Sequence, residues 1–274
     1  MGIKYDSFLV RGIDVSVFNG IIDWSKVDAD FAGIRVGYGN TKDAKFDVNV
    51  VGAKNRKMDI FGYWYSDYYS NWFYKDSGVY NLSDVEWGKR QADNCYKWMK
   101  AHGLNIVYLD IENMTSADSP KLTQAAANNH AQEINRAFLE RMDELGVQTG
   151  IYTSVGWLSW FRPWFRNRPL WVAWYNESVS KDTVISSCLK NGWLVAPVIW
   201  QWSSEIDILG IGQSDVNGWI GSEAQYNVMF GHTVTKPDDE TQTPTTDYTT
   251  YKVTASLGLS IRETPAKTDR KSVV

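Results

Sequence analysis

Short apolar runs recur along most of the chain, and several of them are separated by stretches with helical periodicity. This alternation favours parallel strands joined by crossover helices. Eight such runs predict an α/β fold of the (β/α)8 TIM type. The last two runs leave little room for a helix between them, so we expect an irregular TIM-like barrel with short or missing final helices. The runs span residues 9–16, 31–39, 60–66, 105–112, 148–154, 170–176, 198–204 and 214–219.

Helix signals fall between these runs. Ser83 and Glu86 form a capping-box pattern, and Gly103 supplies a stop for the helix that follows them. A second helix is predicted to open at Ser119 and Pro120. Residues 47–57 predict a third, weaker helix. The predicted buried faces consist of Val85, Ala92, Cys95 and Met99 in the first helix, and of Ala127, Ala131, Ile134, Phe138, Met142 and Leu145 in the second.

The pattern weakens after Trp219, and this change divides the chain. Residues 232–250 are rich in Thr, Pro and Asp, which is typical of a linker. Residues 251–274 begin a new strand-like pattern but are too few for an independent core, and we expect them to be poorly ordered. We therefore predict a catalytic barrel over 1–231, a linker over 232–250 and an incomplete strand segment over 251–274.

Two acidic residues end the fourth apolar run, which reads Asn-Ile-Val-Tyr-Leu-Asp-Ile-Glu over residues 105–112. Side chains two positions apart on a strand point to the same face, about 6.6 Å apart along the chain. Asp110 and Glu112 therefore point the same way as Tyr108, while Val107 and Leu109 face an apolar layer. Burying two acids at the end of an apolar strand is costly unless they have a function. Paired carboxylates are the usual equipment for breaking a glycosidic bond.

Two more acids are predicted at the same end of the barrel, because ligand chemistry lies where parallel strands end. Asp14 lies near the end of the first strand and Asp215 lies in the eighth, and closure makes those strands neighbours. Like charges in one mouth raise one another's pKa, as a general acid requires, and Glu112 is the better candidate for that acid. A lone Asp after a strand is often only a turn former, and that reading is stronger for Asp43 and Asp67.

Composition excludes several other classes of protein. A net charge of −4 without a basic run gives no reason to expect a nucleic-acid partner. The two cysteines and three histidines form no zinc-ligand pattern and no Cys/His pair, so we expect neither a metal nor another cofactor. No apolar stretch is long enough for membrane insertion. Fourteen Trp and fifteen Tyr indicate aromatic core packing, a sugar-binding cleft, or both.

Eight motifs, in order and at sensible spacing, resemble the glycoside hydrolase family 25 lysozymes. The resemblance covers about residues 9–220 and begins with the stretch 11–27, which resembles the opening of that family. It continues with residues 34–39, 63–66, 109–112, 150–154, 170–176, 199–204 and 215–217. It implies an irregular barrel that hydrolyses the β-1,4 bond between N-acetylmuramic acid and N-acetylglucosamine in peptidoglycan. The bacterial glycan strand is then the expected partner of a protein that we expect to be a monomer.

The resemblance also implies roles for residues. Glu112 would protonate the leaving oxygen, and Asp110 would assist the substrate's own N-acetyl group. Tyr63 matches a tyrosine that assists the same step, while Asp14 and Asp215 would shape the charge and the sugar contacts. Four further residues sit at strand positions that could face either the substrate or the core, namely Arg35, Tyr152, Trp174 and Gln201.

Some segments depart from the family pattern. Residues 68–82 form a long aromatic stretch that either walls the cleft or packs as a surface loop. Residues 251–262 look like the first strand of a bacterial SH3-type wall-binding module that stops before it could close. The start of the chain lacks a Sec-type signal, so we expect synthesis in the host cytoplasm. A phage endolysin that reaches the wall after membrane breach fits these expectations better than a host autolysin.

Two other functions stay open on the sequence. One is a glycan-binding protein on the same barrel that has lost catalysis, although the presence of all four acids opposes it. The other is an amidase or peptidase that acts on the same polymer, which the missing zinc-ligand set and Cys/His pair oppose. Product stereochemistry is not readable from the sequence, and we expect N-acetyl participation rather than direct displacement.

Overall fold

Eight strands close into a barrel, and each of them grows from one of the predicted apolar runs. The computed structural model describes residues 5–67, 82–112 and 123–232. β1 pairs with both β2 and β9, which closes the barrel, and the two-residue β3 only extends the edge of β2. The predicted irregular barrel is thus confirmed. The strands are β1 Arg11–Val15, β2 Phe31–Tyr38, β3 Thr41–Lys42, β4 Asp59–Tyr65, β5 Ile106–Asp110, β6 Gln148–Ser154, β7 Leu170–Ala173, β8 Ile199–Ile208 and β9 Gly212–Trp219.

One strand runs against the others, so the prediction of eight parallel strands is wrong for β9. β9 is antiparallel to both β8 and β1, whereas the other barrel neighbours are parallel. The cause is the short link between β8 and β9, because a parallel return needs a crossover of a dozen or more residues. Gly210 and Gly212 have φ of 91° and 90° at this turn, a conformation that favours glycine.

Five α-helices lie within the described residues. They are α1 Phe46–Asn55, α2 Asp84–Lys100, α3 Gln124–Glu144, α4 Lys181–Lys190 and α5 Glu223–Phe230. The Ser83–Glu86 capping box is present at the start of α2. The predicted opening of the second helix at Ser119 and Pro120 lies outside the described residues.

The predicted buried faces of α2 and α3 are confirmed except at Val85 and Leu145. Val85 is 46% exposed, because the first turn of α2 instead buries Trp87, whose indole N–H donates to the backbone oxygen of Asp67. Leu145 is half-buried at the end of α3. Where the two helices meet, a Cβ on Gly88 would lie 2.2 Å from the backbone oxygen of Ile134. Glycine is therefore needed there for the close approach of α2 to α3.

The strands separate two cores. Val107, Leu109 and Ile111 face the outer core between the barrel and its helices, as predicted. The inner core lies inside the barrel and is largely aromatic. It includes Phe31, Phe61, Tyr108, Trp171 and Trp219. Glycines on neighbouring strands make room for these rings, since a Cβ on Gly150 would lie 2.3 Å from Tyr108 Cε1. The aromatic content of the chain is largely explained by this packing.

The N-terminal segment covers the side of the barrel that has no crossover helix. Phe8 packs its ring against Trp200 and Trp202 on the outer face of β8, with ring centroids 6.0 and 6.1 Å apart. A Cβ on Gly218 would lie 2.0 Å from the same ring, so the ring sits directly on the backbone of β9. The expected missing helix is thus replaced by a short irregular segment.

Several predictions concern residues beyond this description. The aromatic stretch 68–82 falls outside it except for Leu82, and so does the linker over 232–250 except for His232. The segment 251–274, with its SH3-type pattern, lies wholly outside. Among the described residues, no helix is both long and apolar enough to cross a bilayer.

Candidate active site

A polar layer lies above the aromatic inner core, at the end of the barrel where the parallel strands finish. Asp14 is 5% exposed there, and its Oδ2 accepts two hydrogen bonds of 2.8 Å, from Gln201 Nε2 and Asn217 Nδ2. Asn217 is in turn fixed by Trp171, whose indole N–H donates to its Oδ1 at 2.7 Å. Strands β1, β7, β8 and β9 thus hold one buried carboxylate in a defined orientation.

Asp110 and Glu112 meet in this layer, as the sequence predicts. Asp110 ends β5 and is 6% exposed, while Glu112 follows it and is half-buried. Burial raises the pKa of both carboxyls, and the negative charge of Glu112 raises the pKa of Asp110 further. A hydrogen bond between them raises the pKa of Asp110 and lowers that of Glu112. These shifts favour the retention of one proton by the pair.

Asp215 joins these acids from β9, the strand that runs antiparallel to its neighbours. It lies near the start of the antiparallel β9, and its register partner across the β1–β9 pair is Asp14. Burial raises the pKa of Asp215 to about 8, with further contributions from the charges of Asp14 and Glu112. Burial also raises the pKa of Asp14 to about 6, although its two amide donors oppose that rise. The predicted gathering of four acids at one mouth is present in the structure.

Tyrosine hydroxyls surround the acids. Tyr63 on β4 is 9% exposed, and its pKa is raised well above the usual range by burial and by the charge of Asp14. Gln201 Oε1 accepts hydrogen bonds of 2.7 Å from both Tyr152 and Tyr175. Tyr152 also lies within hydrogen-bond reach of Glu112 and lowers the pKa of that carboxyl. These phenols stay neutral and serve as fixed donors at the mouth.

Arg35 is the positively charged residue among the predicted site residues, and it lies in the polar layer. Its Nε donates to Asp43 Oδ2 at 2.7 Å, and its positive charge lowers the pKa of the Asp110 carboxyl. Asp43 also accepts from the backbone N–H groups of Val17 at 3.0 Å and Lys45 at 2.8 Å. Asp43 therefore has the structural role that the sequence favours, and it holds Arg35 beside the acids.

Trp174 is the one sequence-predicted site residue that the structure places away from the acids. Its side chain packs against the outer core, and its backbone N–H donates to the backbone oxygen of Gln201 at 3.0 Å. The side chain that reaches the polar layer is that of Tyr175, one position later, whose hydroxyl donates to the Gln201 side chain. The alternation of β7 predicts this position of Tyr175, because Trp171 lies in the inner core and Val172 in the outer core. Asn217 is a site residue that the sequence analysis missed, and its position two residues after Asp215 on β9 predicts that it faces the same way.

The site can perform acid catalysis on a bond held above it. A proton is retained between two carboxyls in a barrel whose floor is aromatic, and further carboxylates and neutral phenols surround that pair. Within residues 5–67, 82–112 and 123–232, no three His, Cys, Asp or Glu side chains are placed so that they could hold a metal ion. A barrel with paired acids of raised pKa at its mouth is typical of glycosidases.

The family comparison agrees with this class. Residues 13–211 match the glycosyl hydrolases family 25, which is most of the chain. The chain therefore belongs to this family and is a glycosidase. The match includes all the acids described above except Asp215. No curated protein sequence matches the chain.

Solved structures share the fold. The bacterial lysozyme from Streptomyces coelicolor is 24% identical with a TM-score of 0.59, covering 82% of this chain and 98% of that one. The catalytic domain of endolysin ply40, from bacteriophage P40 of Listeria monocytogenes, is 20% identical with a TM-score of 0.57, covering 81% and 97%.

A longer protein shares the same barrel. The modular autolysin LytC from Streptococcus pneumoniae, in complex with a synthetic peptidoglycan ligand, is 20% identical with a TM-score of 0.59. The match covers 77% of this chain but only 46% of LytC, so the chain spans just under half of that protein.

Proposed function

We propose that this protein is a muramidase, which hydrolyses the β-1,4 bond between N-acetylmuramic acid and N-acetylglucosamine in peptidoglycan. The observation that carries the proposal is the Asp110–Glu112 pair, a buried and a half-buried carboxyl that are hydrogen-bonded at the barrel mouth and whose pKa values are both raised. Family membership supports the reaction class. The structure of LytC with a synthetic peptidoglycan ligand supports the substrate class.

In this mechanism Glu112 is the general acid. It is the more accessible member of the pair, lies beyond the end of β5, and has the longer side chain. The hydrogen bond favours the shared proton on Asp110, so this proton passes to Glu112 when the glycan binds, and Glu112 donates it to the oxygen that leaves the anomeric carbon. Burial raises the pKa of Glu112, which favours the protonated form that a general acid needs. Glu112 then accepts a proton from the water that attacks the same carbon.

Asp110 assists the N-acetyl group of the substrate. The N-acetyl oxygen attacks the anomeric carbon as the leaving oxygen departs, and positive charge develops on the amide. Asp110 Oδ1 is buried and has no hydrogen-bond partner among the described residues, so it is suited to accept the substrate N–H. Tyr63 donates its hydroxyl proton in a hydrogen bond to the same group, and Asp14 and Asp215 shape the charge and the sugar contacts around it.

The bond that is cut can be identified directly. Purified cell walls are digested, and the soluble fragments are reduced and measured by mass spectrometry. A muramidase gives new reducing ends at N-acetylmuramic acid, whereas an amidase or peptidase gives new amino groups. A glycan-binding protein without catalysis binds the walls and releases neither. Either of the last two outcomes would rule out the proposal.

The anomeric configuration of the first product tests the role of Asp110. Participation of the N-acetyl group involves two displacements at the anomeric carbon, so the β configuration is retained. Proton NMR of a fresh digest should show the β anomer first. A first product in the α configuration would instead require direct attack by water and remove the assisting role.

We also propose that the biological role is lysis of bacteria as a phage endolysin, made in the host cytoplasm and acting after membrane breach. The shared barrel of the ply40 endolysin supports this role. Expression inside a bacterial host should be harmless until the membrane is permeabilised, after which the culture should clear. Lysis without permeabilisation would contradict it.

A further inference from the structure

In the part of the chain that the structure describes, the exposed aromatic rings lie at one end of the barrel. In the described ranges the exposed aromatics are Phe18, Tyr38 and Tyr175, at 86%, 41% and 55% of their surface. Phe18 follows β1, Tyr38 ends β2 and Tyr175 follows β7, so all three lie at the mouth. Tyr175 is accounted for by its hydrogen bond to Gln201. Phe18 has no such role and is the most exposed of the three.

The turn that carries Phe18 is fixed rather than loose. Ser16 and Asn19 form a capping box around it, in which Ser16 N–H donates to Asn19 Oδ1 at 2.8 Å. The N–H of Val17 donates to Asp43 Oδ2 at 3.0 Å. Further along, the N–H of Asp23 donates to the oxygen of Gly210 at 2.8 Å, which ties the segment to the β8–β9 turn. The protein thus holds an exposed apolar ring in a defined place.

Arg35 covers one face of the Phe18 ring, and among the described residues 86% of the Phe18 surface remains exposed. The Arg35 guanidinium carbon lies 4.7 Å from the ring centroid, and the Asp43 carboxylate holds Arg35 in that position. A ligand can therefore contact only the outer face. A flat, preorganised aromatic face at the rim of a carbohydrate site suits the apolar face of a sugar ring.

We propose that Phe18 is a sugar-binding platform for a ring of the glycan strand beyond the two that flank the cleaved bond. The placement argues for an outlying position, because Phe18 lies four residues past the buried Asp14 and outside the polar layer. The ligand is an N-acetylated hexose unit of the same polymer, so this inference rests on the proposed function. Arg35 links the platform to the acids, since it lies under the ring and lowers the pKa of Asp110.

The test compares chain lengths. Peptide-free oligomers of the N-acetylglucosamine–N-acetylmuramic acid repeat are prepared in short and long forms, and kcat and KM are measured for wild type and Phe18→Ala. The variant should raise KM about five- to tenfold on the long oligomers and leave kcat nearly unchanged. On the disaccharide N-acetylmuramic acid–N-acetylglucosamine, which contains only the bond that is cut, the two proteins should be alike. Phe18→Tyr should behave as wild type, whereas Phe18→Leu should resemble Phe18→Ala.

A matched control comes from the other end of the same strand. Leu9 is 101% exposed just before β1, so Leu9→Ala removes an exposed apolar side chain far from the mouth and should change neither constant. Equal loss on short and long oligomers would overturn the platform, and so would a loss that appears only with stem peptides attached. Failure of wild type to cut any oligomer would instead refute the proposed function, so the two failures are distinguishable.

Discussion

Asp14 on β1 and Asp215 on β9 are register partners across an antiparallel pair, although most of the chain separates them in sequence. Directly opposed residues of such a pair have their Cα atoms about 5 Å apart and point to the same face. Burial raises both pKa values, to about 6 for Asp14 and about 8 for Asp215. The charge of Asp14 raises the pKa of Asp215 further, and the charge of Glu112 contributes to both. The barrel thus accepts a cost in stability in order to hold these acids at its mouth.

That cost should appear in the pH dependence of folding. The pKa of Asp215 is about 8 when folded and 3.8 in its ordinary state, so the unfolded chain releases the proton first as pH rises. Stability is therefore lost between about pH 4 and pH 8. Asp215→Asn should remove this term and make the free energy of unfolding fall less from pH 5 to pH 8, by about 2 kcal/mol. Urea denaturation at both pH values measures it, and parallel curves for the two proteins would contradict it.

Replacement of Glu112 should abolish catalysis without unfolding the protein. Glu112→Gln keeps the size of the side chain and removes the proton donor, so wall lysis should fall roughly a thousandfold or more. Turbidity loss of purified walls measures the activity, and circular dichroism with a thermal melt checks the fold. Glu144→Gln makes the same chemical change at an exposed position near the end of α3 and should leave lysis unchanged. Normal lysis by Glu112→Gln would mean that another group is the acid.

The strands and the faces of β5 could be predicted because burial imposes a period of two on the sequence. Val107 and Leu109 had to face the outer core, and this left Tyr108, Asp110 and Glu112 to face inward. The same alternation in β7 points to Tyr175 rather than Trp174.

Other features depended on tertiary contacts that no local pattern carries. The reversal of β9 follows from a short link, but the sequence does not disclose that β8 and β9 extend beyond the barrel into that turn. Val85 fits the helical period of α2, and only the packing of Trp87 shows that the first turn is exposed on that side. Arg35 of β2 packs on one face of Phe18 in the turn after β1, and no local pattern predicts this contact.

Gln201 should stabilise the acid layer through three hydrogen bonds. Its oxygen accepts from Tyr152 and Tyr175, and its amide N–H donates to Asp14. Gln201→Leu leaves these groups without a partner in a buried site, so it should destabilise the protein by about 2–4 kcal/mol. Gln201→Glu keeps the oxygen that accepts from the two tyrosines but places a second carboxyl beside Asp14. This carboxyl should raise the pKa of Asp14 further, so the loss of stability in the variant should grow from pH 5 to pH 8.

Thermal melts of these variants at both pH values provide the measurement. Gln148→Leu, at an exposed position at the start of β6, is the matched control and should change the melting temperature little. If Gln201→Leu melts like that control, the three hydrogen bonds of Gln201 do not stabilise the acid layer. If Gln201→Glu loses equal stability at both pH values, the added carboxyl does not change the pKa of Asp14.

Phe8 should be needed for stability although it lies outside every strand and helix of the barrel. Its ring covers Trp200, Trp202 and the backbone at Gly218, where other sides of the barrel are covered by crossover helices. Phe8→Ala exposes this apolar surface and should lower the free energy of unfolding by about 2 kcal/mol, less than for a fully buried ring. Leu9→Ala, its fully exposed neighbour, should have almost no effect. Urea denaturation of both variants decides the matter, because equal stability would mean that the N-terminal segment does not serve as a cover for β8 and β9.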